Sequence, residues 1–245
     1  MNPEEYSAMA AVEREHWFYR GKRAIVRHWI HKFVPDARGN VLIDCGCGTG
    51  IFAAEMQESC VVIGIDDHEE ALAFARINMR GGTCRRGTTT AIPQDDASVD
   101  IVTLLDVLEH IPDDRKALHE IHRVLKPGGL LVLTVPAFPT LWSDWDEVLH
   151  HCRRYRAPEL IEKVRTAGFS VEHWNHTNVL AFPFVLLIRK LRRVLPMLQK
   201  RRMEDRIPSH MINALLQWQF VYLACQNRIR FPFGVSLLLI ARKNV

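Results

Sequence analysis

The chain has 245 residues, enough for one large domain or for a domain carrying an elaboration. At 48% hydrophobic and 24% charged it has the composition of a globular protein, and a net charge of +4 is too mild for the whole chain to read as a nucleic-acid binder. The charge is unevenly placed: between Arg189 and Arg206 eight Lys or Arg stand against Glu204 and Asp205, a local +6, so the remainder carries −2 (4 − 6).

The polar, acidic start MNPEEYSAM lacks the basic and apolar runs of a secretory signal, and the apolar stretch Val179–Ile188 is too short to cross a bilayer. A cytoplasmic location is expected. Of the six cysteines, Cys45 and Cys47 lie one residue apart in a glycine-rich turn and none has zinc-finger spacing, so buried thiols in a reducing compartment are expected.

In chain order, aromatics and aliphatics at helical spacing (Trp17, Ile25, Trp29, Phe33) predict a helix over Glu13–Phe33, stopped by Pro35. The aromatic cluster HWFYR at 16–20 reads equally as a helix packed on the core or as a lid over a ligand. An alternation follows: strand Val41–Ile43, helix Ile51–Glu58, strand Val61–Ile65, helix Glu69–Asn78, and a weak strand Cys84–Arg86. Strand Ile101–Leu105, helix Arg115–Val124 ending at KPGG, and strand Leu130–Val135 come next. Helix Pro158–Ala167, strand Ser170–Trp174 and a final strand Val235–Ala241 complete it. Apolar strands separated by helices predict a parallel sheet covered on both faces. The organisation expected is an N-terminal helical lid (1–39), a core (40–177 and 233–245) and a helical insertion (178–232) far longer than a hairpin needs.

The chemistry centres on Val41-Leu-Ile-Asp-Cys-Gly-Cys-Gly-Thr-Gly50, where the first strand turns into a helix. Gly46, Gly48 and Gly50 let the backbone turn sharply and let a ligand lie against the main chain, next to unpaired helix N–H groups. Asp44 can accept a hydrogen bond from a cationic amine or from a water bound to it, and Asp66, 20 residues past Gly46, is placed to grip ribose hydroxyls. A dinucleotide fingerprint would need glycine at 51, which is Ile, and no P-loop is present.

These features resemble the class I S-adenosylmethionine-dependent methyltransferase family over about residues 40–175. VLIDCGCGTG is similar to its first motif and VIGIDD to its second; GTTTAIPQDDASVDIV, LLDVLEHI and VLKPGGLLVLTVP are similar to the later ones, in order. The resemblance implies an α/β, Rossmann-like sheet, mostly parallel with the last strand antiparallel, and S-adenosyl-L-methionine held by Asp44, Gly46, Gly48, Gly50, Asp66, Asp67, Thr88, Thr89 and Asp106. Thr88 stands where an Asp commonly reaches the adenine amine, which implies a rearranged adenine contact. Val99 replaces the common Phe. The EHWFYRGKR start and DEVLHHCRRY at 146–155 resemble a bacterial group with an N-terminal H-W-W/F-F-x-x-R lid and a D-x-x-x-G-H-x-R-R-Y segment, with His150 in place of the glycine.

Methyl transfer needs alignment and, for some acceptors, removal of a proton, which suits histidine. His110, His151 and Asp146 are the catalytic candidates, and Trp17, Arg154 and Tyr155 the substrate candidates. The bland alternatives are a loop-tying His110, an internal His151–Asp146 pair, and Arg153 or Arg154 paired with Glu159 or Glu162. With no HxxxH spacing near acids, no metal is expected.

In the insertion, AFPFVLLIRKLRRVLP sets an apolar run against Arg189, Lys190, Arg192 and Arg193, with Lys200, Arg201 and Arg202 beyond; Ile212–Tyr222 is a second apolar stretch. This reads either as an interfacial segment, contacting the inner membrane face through 179–202, or as a helical cap over the substrate. The functional expectation is O- or C-methylation of a lipid-linked or small hydrophobic acceptor. The alternatives are a soluble small-metabolite methyltransferase with the insertion as lid, and a non-catalytic cofactor-binding accessory subunit. Nucleic acid is not an expected partner, since the basic residues adjoin aliphatics rather than exposed aromatics on a groove.

Overall fold

A computed structural model describes residues 3–194 and 206–245. Strands β1 (Val41–Cys45), β2 (Val61–Asp66), β3 (Thr83–Arg86), β4 (Val99–Leu105), β5 (Leu125–Pro136), β6 (Phe169–Thr177) and β7 (Ser236–Lys243) form one sheet in the order β3-β2-β1-β4-β5-β7-β6. The pairs among β1 to β5 are parallel, whereas β7 runs antiparallel to both β5 and β6. Strand order reverses between β1 and β4, and the crevice outside their carboxyl ends is where ligands bind in open α/β sheets.

The central strands are buried on both faces, as their unbroken Val, Ile and Leu runs require. One face carries α5 (Asp114–Val124) and, after the short α6 (Asp144–Val148), α7 (Ala157–Thr166); Leu118, Ile121, Leu160 and Val164 of α5 and α7 join Ile43, Val102 and Leu133. The opposite face carries α2 (Trp17–Phe33), α3 (Ile51–Met56), α4 (Glu69–Asn78) and α9 (His210–Ala224), with Trp29, Phe52, Leu72 and Phe220 against Leu42, Ile101 and Ile240.

The N-terminal segment departs from the continuous helix expected over Glu13–Phe33. Helix α1 (Pro3–Val12) ends, a turn follows, and α2 begins at Trp17. The break is held from outside: Trp17 N donates to Asn213 Oδ1 of α9 at 2.9 Å, Asn213 Nδ2 donates to Glu15 O at 2.8 Å, and His16 Nδ1 accepts from Phe18 N at 3.3 Å. The Trp17 N–H, which a longer helix would have satisfied internally, is instead capped by a residue 196 positions away. Strand β5 also starts earlier than expected, because Leu125 pairs with Val99 ahead of a register shift and KPGG lies within the strand.

The insertion contains α8 (Phe182–Val194) and α9. Helix α9 packs along α2, with Gly21 leaving room for Phe220: a Cβ there would lie 2.5 Å from Phe220 Cδ1. Among the described residues no helix is long and apolar enough to cross a membrane. The basic residues at 200–202, and the part of the expected membrane contact beyond 194, lie outside the described residues.

Candidate active site

A cavity of about 920 Å3 opens at the carboxyl ends of β1, β2 and β4 and runs under α1, the start of α2 and α8. At one end lies the glycine turn. Gly46, Gly48 and Gly50 all have positive φ (69°, 53° and 76°), the region that penalises a Cβ. At Gly50 a Cβ would also meet Ala75 at 2.8 Å, so this turn can close against α4 only with glycine.

Asp44, 3% exposed, accepts from Thr103 Oγ1 at 2.7 Å. Burial raises its pKa to about 7, against the lowering effect of the Thr103 hydroxyl and with a further rise from the Asp66 charge. Asp66 accepts from Gly48 N and from His68 N, both at 3.0 Å, which fixes the carboxylate beside the turn. Asp67 is exposed and contacts His68 Nδ1 at 2.5 Å. Thr88 and Thr89 line the same end, with Thr88 Oγ1 3.3 Å from Thr90 Oγ1. A buried carboxyl without a cationic partner, next to a turn stripped of side chains, suits the amine-bearing tail of S-adenosylmethionine. Asp66 suits its ribose.

The N-terminal segment closes over this end. Thr49 Oγ1 donates to Glu13, and Met9 Cε lies 3.4 Å from where a Gly48 Cβ would stand. Lys22 of α2 forms an ion pair with Asp106, which also accepts from Thr134 Oγ1 at 2.9 Å. Burial would raise Asp106, but the Lys22 ammonium and the Thr134 hydroxyl outweigh it and hold the carboxyl below its ordinary range.

The other end holds the expected catalytic residues. His151 Nδ1 lies 2.9 Å from Asp146 Oδ1. Fully buried Asp146 is the hub of its surroundings: it also accepts from Arg154 Nε at 2.6 Å and Ser143 N at 2.8 Å, and Arg189 of α8 stands 3.7 Å away. Burial opposes ionisation, yet the hydrogen bonds from His151 and Arg154 hold the carboxyl far below its ordinary value. Asp146 is therefore a carboxylate, and it accepts from His151 Nδ1.

The His110 ring stands edge-on to His151, with centroids 4.6 Å apart; burial above all, with a further push from neighbouring His151, takes His110 down to about 4 and keeps it neutral. Beside them lies Glu109, fully buried, with neither oxygen hydrogen-bonded and its pKa raised well above the ordinary range by burial and by Asp106. Ligating atoms of Glu109, His110 and His151 all lie within 4.8 Å of one another. The expectation of no metal rested on local spacing alone, and that spacing is blind to a cluster joining 109–110 to 151.

Two substrate expectations need correction. Tyr155 does not face the cavity: it is fully buried in the core, and its hydroxyl donates to Asp114 Oδ2 at 2.9 Å. Arg154 lines the cavity, but its guanidinium is committed to Asp146 and to Ala137 O, so it positions the dyad instead of clamping a ligand. Arg153 pairs with Asp114 at 2.8 Å, not with Glu159 or Glu162. Trp17 does line the cavity, edge-on to Phe220. All six cysteines are free, and burial raises the Cys45 and Cys47 thiols, leaving them unreactive.

Residues 43–133 match the family described as the methyltransferase domain. A probable S-adenosylmethionine-dependent methyltransferase of Mycolicibacterium smegmatis is 33% identical over 165 residues, 66% of this chain and 62% of the relative. The ubiquinone biosynthesis O-methyltransferase of Pseudomonas paraeruginosa is 36% identical over 113 residues, 44% of this chain and 48% of the relative. The chain thus spans about half to three fifths of the length of these curated relatives. Among solved structures, phosphoethanolamine N-methyltransferase 2 of Haemonchus contortus with bound S-adenosyl-L-methionine shares the fold at a TM-score of 0.58 and 21% identity, over 88% of this chain and 51% of that one. The motif order, the sheet and these matches converge on one conclusion: residues 43–133 belong to a methyltransferase domain of the class I S-adenosylmethionine-dependent family.

Proposed function

We propose that this protein transfers a methyl group from S-adenosylmethionine to an oxygen, or an activated carbon, of a lipophilic acceptor. The observation that carries the reading is the continuity of one cavity: the glycine turn with Asp44 and Asp66 lies at one end, His151 of the Asp146–His151 pair at the other, and α8 lines it with Val185 and Ile188 beside Arg189 and Arg192. The relative named for O-methylation in ubiquinone biosynthesis supports the lipophilic assignment.

The bound cofactor supplies an electrophilic methyl on a sulfonium, and the protein supplies alignment and a proton acceptor. Asp44 and the turn amides hold the amino-acid tail, Asp66 the ribose, and the Thr88–Thr89 edge the adenine. His151 takes the acceptor's hydroxyl proton on Nε2, and the Asp146 carboxylate at 2.9 Å stabilises the imidazolium so formed. Arg154 keeps that carboxylate in register. Glu109, neutral while buried and unpartnered, can donate a hydrogen bond to the acceptor.

The test is incubation with methyl-labelled cofactor and either a membrane-lipid extract or an aqueous metabolite extract. Label entering the organic phase with wild type, but not with His151→Ala, is the expected result. Label entering only water-soluble product moves the acceptor class to small metabolites. Cofactor binding without turnover in any extract leaves the accessory-subunit reading in its place.

A further inference from the structure

We infer that Glu109, His110 and His151 form a binding site for a divalent transition-metal ion such as zinc, and that the bound ion excludes methyl transfer. The binding stands on the geometry alone. Only its effect on turnover rests on the reading of His151 as proton acceptor.

The three residues come from two segments that the backbone staples together. Glu109 and His110 lie in the turn after β4 and His151 in the loop after α6, and Cys152 N donates to Glu109 O at 2.7 Å across the join. One ligating atom of each side chain lies within 4.8 Å of the other two, and all three residues line the cavity. Drawing these atoms to about 2.0–2.2 Å from one ion takes movements on the order of 1 Å, within the reach of side-chain rotation.

Glu109 supplies an independent observation. It is fully buried and neither carboxyl oxygen has a hydrogen-bond partner, although buried polar atoms normally find one. The neighbouring carboxylates are already answered, Asp106 by Lys22 and Asp146 by Arg154. A cation seated against Glu109 and the two imidazoles would give its oxygens the partner they lack.

Both histidines have the outer contact that orients a ligating ring. His151 Nδ1 is held by Asp146 Oδ1 at 2.9 Å, and the Leu149 backbone is a hydrogen-bond partner of the His110 ring. One nitrogen of each ring is thereby engaged from behind, by a carboxylate or a carbonyl, and the other is left for a metal. Asp146 is fixed in turn by Arg154 Nε and Ser143 N.

Donor chemistry selects the ion. Two imidazoles and one carboxylate suit zinc, cobalt or nickel, whereas magnesium and calcium favour oxygen ligands throughout. A bound ion takes the remaining His151 nitrogen, which in the proposed reaction receives the acceptor's proton, and it takes the Glu109 carboxyl that meets the acceptor. Occupancy and turnover therefore exclude each other.

The experiment titrates the full chain, freed of metal by a chelator, with zinc chloride or magnesium chloride in a calorimeter and with cobalt chloride in a spectrophotometer. Wild type is expected to bind zinc at this site and not magnesium, and to give the visible d–d absorption of cobalt without a thiolate charge-transfer band. Glu109→Gln and His110→Ala should each weaken the binding at least ~10-fold, the lower end of what even outer-contact changes cost a metal site. Cys152→Ser, at the exposed thiol beside the cluster, should leave it unchanged. Cooperative melting and unchanged S-adenosylmethionine affinity show that the variants are folded. In the methyl-transfer assay zinc should inhibit wild type, and a chelator should restore it. No zinc binding, equal affinity in Glu109→Gln and His110→Ala, or a thiolate band abolished by Cys152→Ser overturns the site. Turnover unchanged or raised at saturating zinc overturns the exclusion. Calorimetry and the cobalt spectrum need no acceptor, so failure of the methyl-transfer reading leaves the test of the site untouched.

Discussion

Replacing Asp44 by Asn separates what this residue costs the fold from what it gives the site. The side chain is 3% exposed, and burial raises its pKa from 3.8 to about 7. The folded state thus holds the proton more tightly than the unfolded state. Stability present below pH 4 or so is lost as pH rises through about 7. At about 1.4 kcal/mol per pH unit, the ionised form costs the folded state roughly 4 kcal/mol at pH 8. Asn keeps an oxygen for the Thr103 hydroxyl at 2.7 Å and never ionises. Urea denaturation from pH 5 to pH 8, without cofactor, should show Asp44→Asn more stable than wild type, with the gap widening toward pH 8. The same variant should bind S-adenosylmethionine about 10- to 100-fold more weakly at pH 8, from loss of a charge-assisted hydrogen bond to its amine. Wild-type affinity should rise with pH up to about 7 as the carboxylate forms. Parallel stability curves for the two proteins, or equal affinity, would refute the reasoning.

Glu109→Leu should raise thermal stability, since it removes a buried carboxyl with no hydrogen-bond partner, while abolishing acceptor methylation and sparing cofactor binding; melting, calorimetry and turnover check the three parts. Asp146→Asn should lower kcat by about 100- to 10,000-fold and cost about 3–5 kcal/mol in denaturant, because it leaves buried Arg154 without its carboxylate. Tyr155→Phe should cost about 1–2 kcal/mol through the lost bond to Asp114 and leave KM for the acceptor unchanged, as expected of a core residue; a raised KM would return it to the site.

The strands and the cofactor turn were legible because their signals are local. Apolar runs such as Leu130–Val135 fix buried strands, and Gly46, Gly48 and Gly50 announce a backbone that no other residue adopts cheaply. Asp146, His151 and Arg154 were legible as a group because they fall within nine residues. Whether Arg154 served a ligand or Asp146 depended on where its side chain pointed, which spacing does not encode.

What escaped is what joins distant segments. Lys22 reaches Asp106 across 84 positions and Asn213 caps α2 across 196. The helical period of 13–33 continues through the 13–16 turn, so only the tertiary cap marks where α2 starts. Glu109 carried a weak signal: it is an acid in the strand-to-helix connection after β4, adjacent to a histidine already singled out. Its burial could not be foreseen from the charged neighbours that follow it in sequence.

The cofactor site is tested most directly by calorimetry of wild type and Asp66→Ala with S-adenosylmethionine and its demethylated product. Wild type is expected to bind both ligands at one site, and loss of the carboxylate fixed by Gly48 and His68 should weaken both about 10- to 100-fold. No binding by the wild type, or equal affinity in the variant, would contradict the central claim.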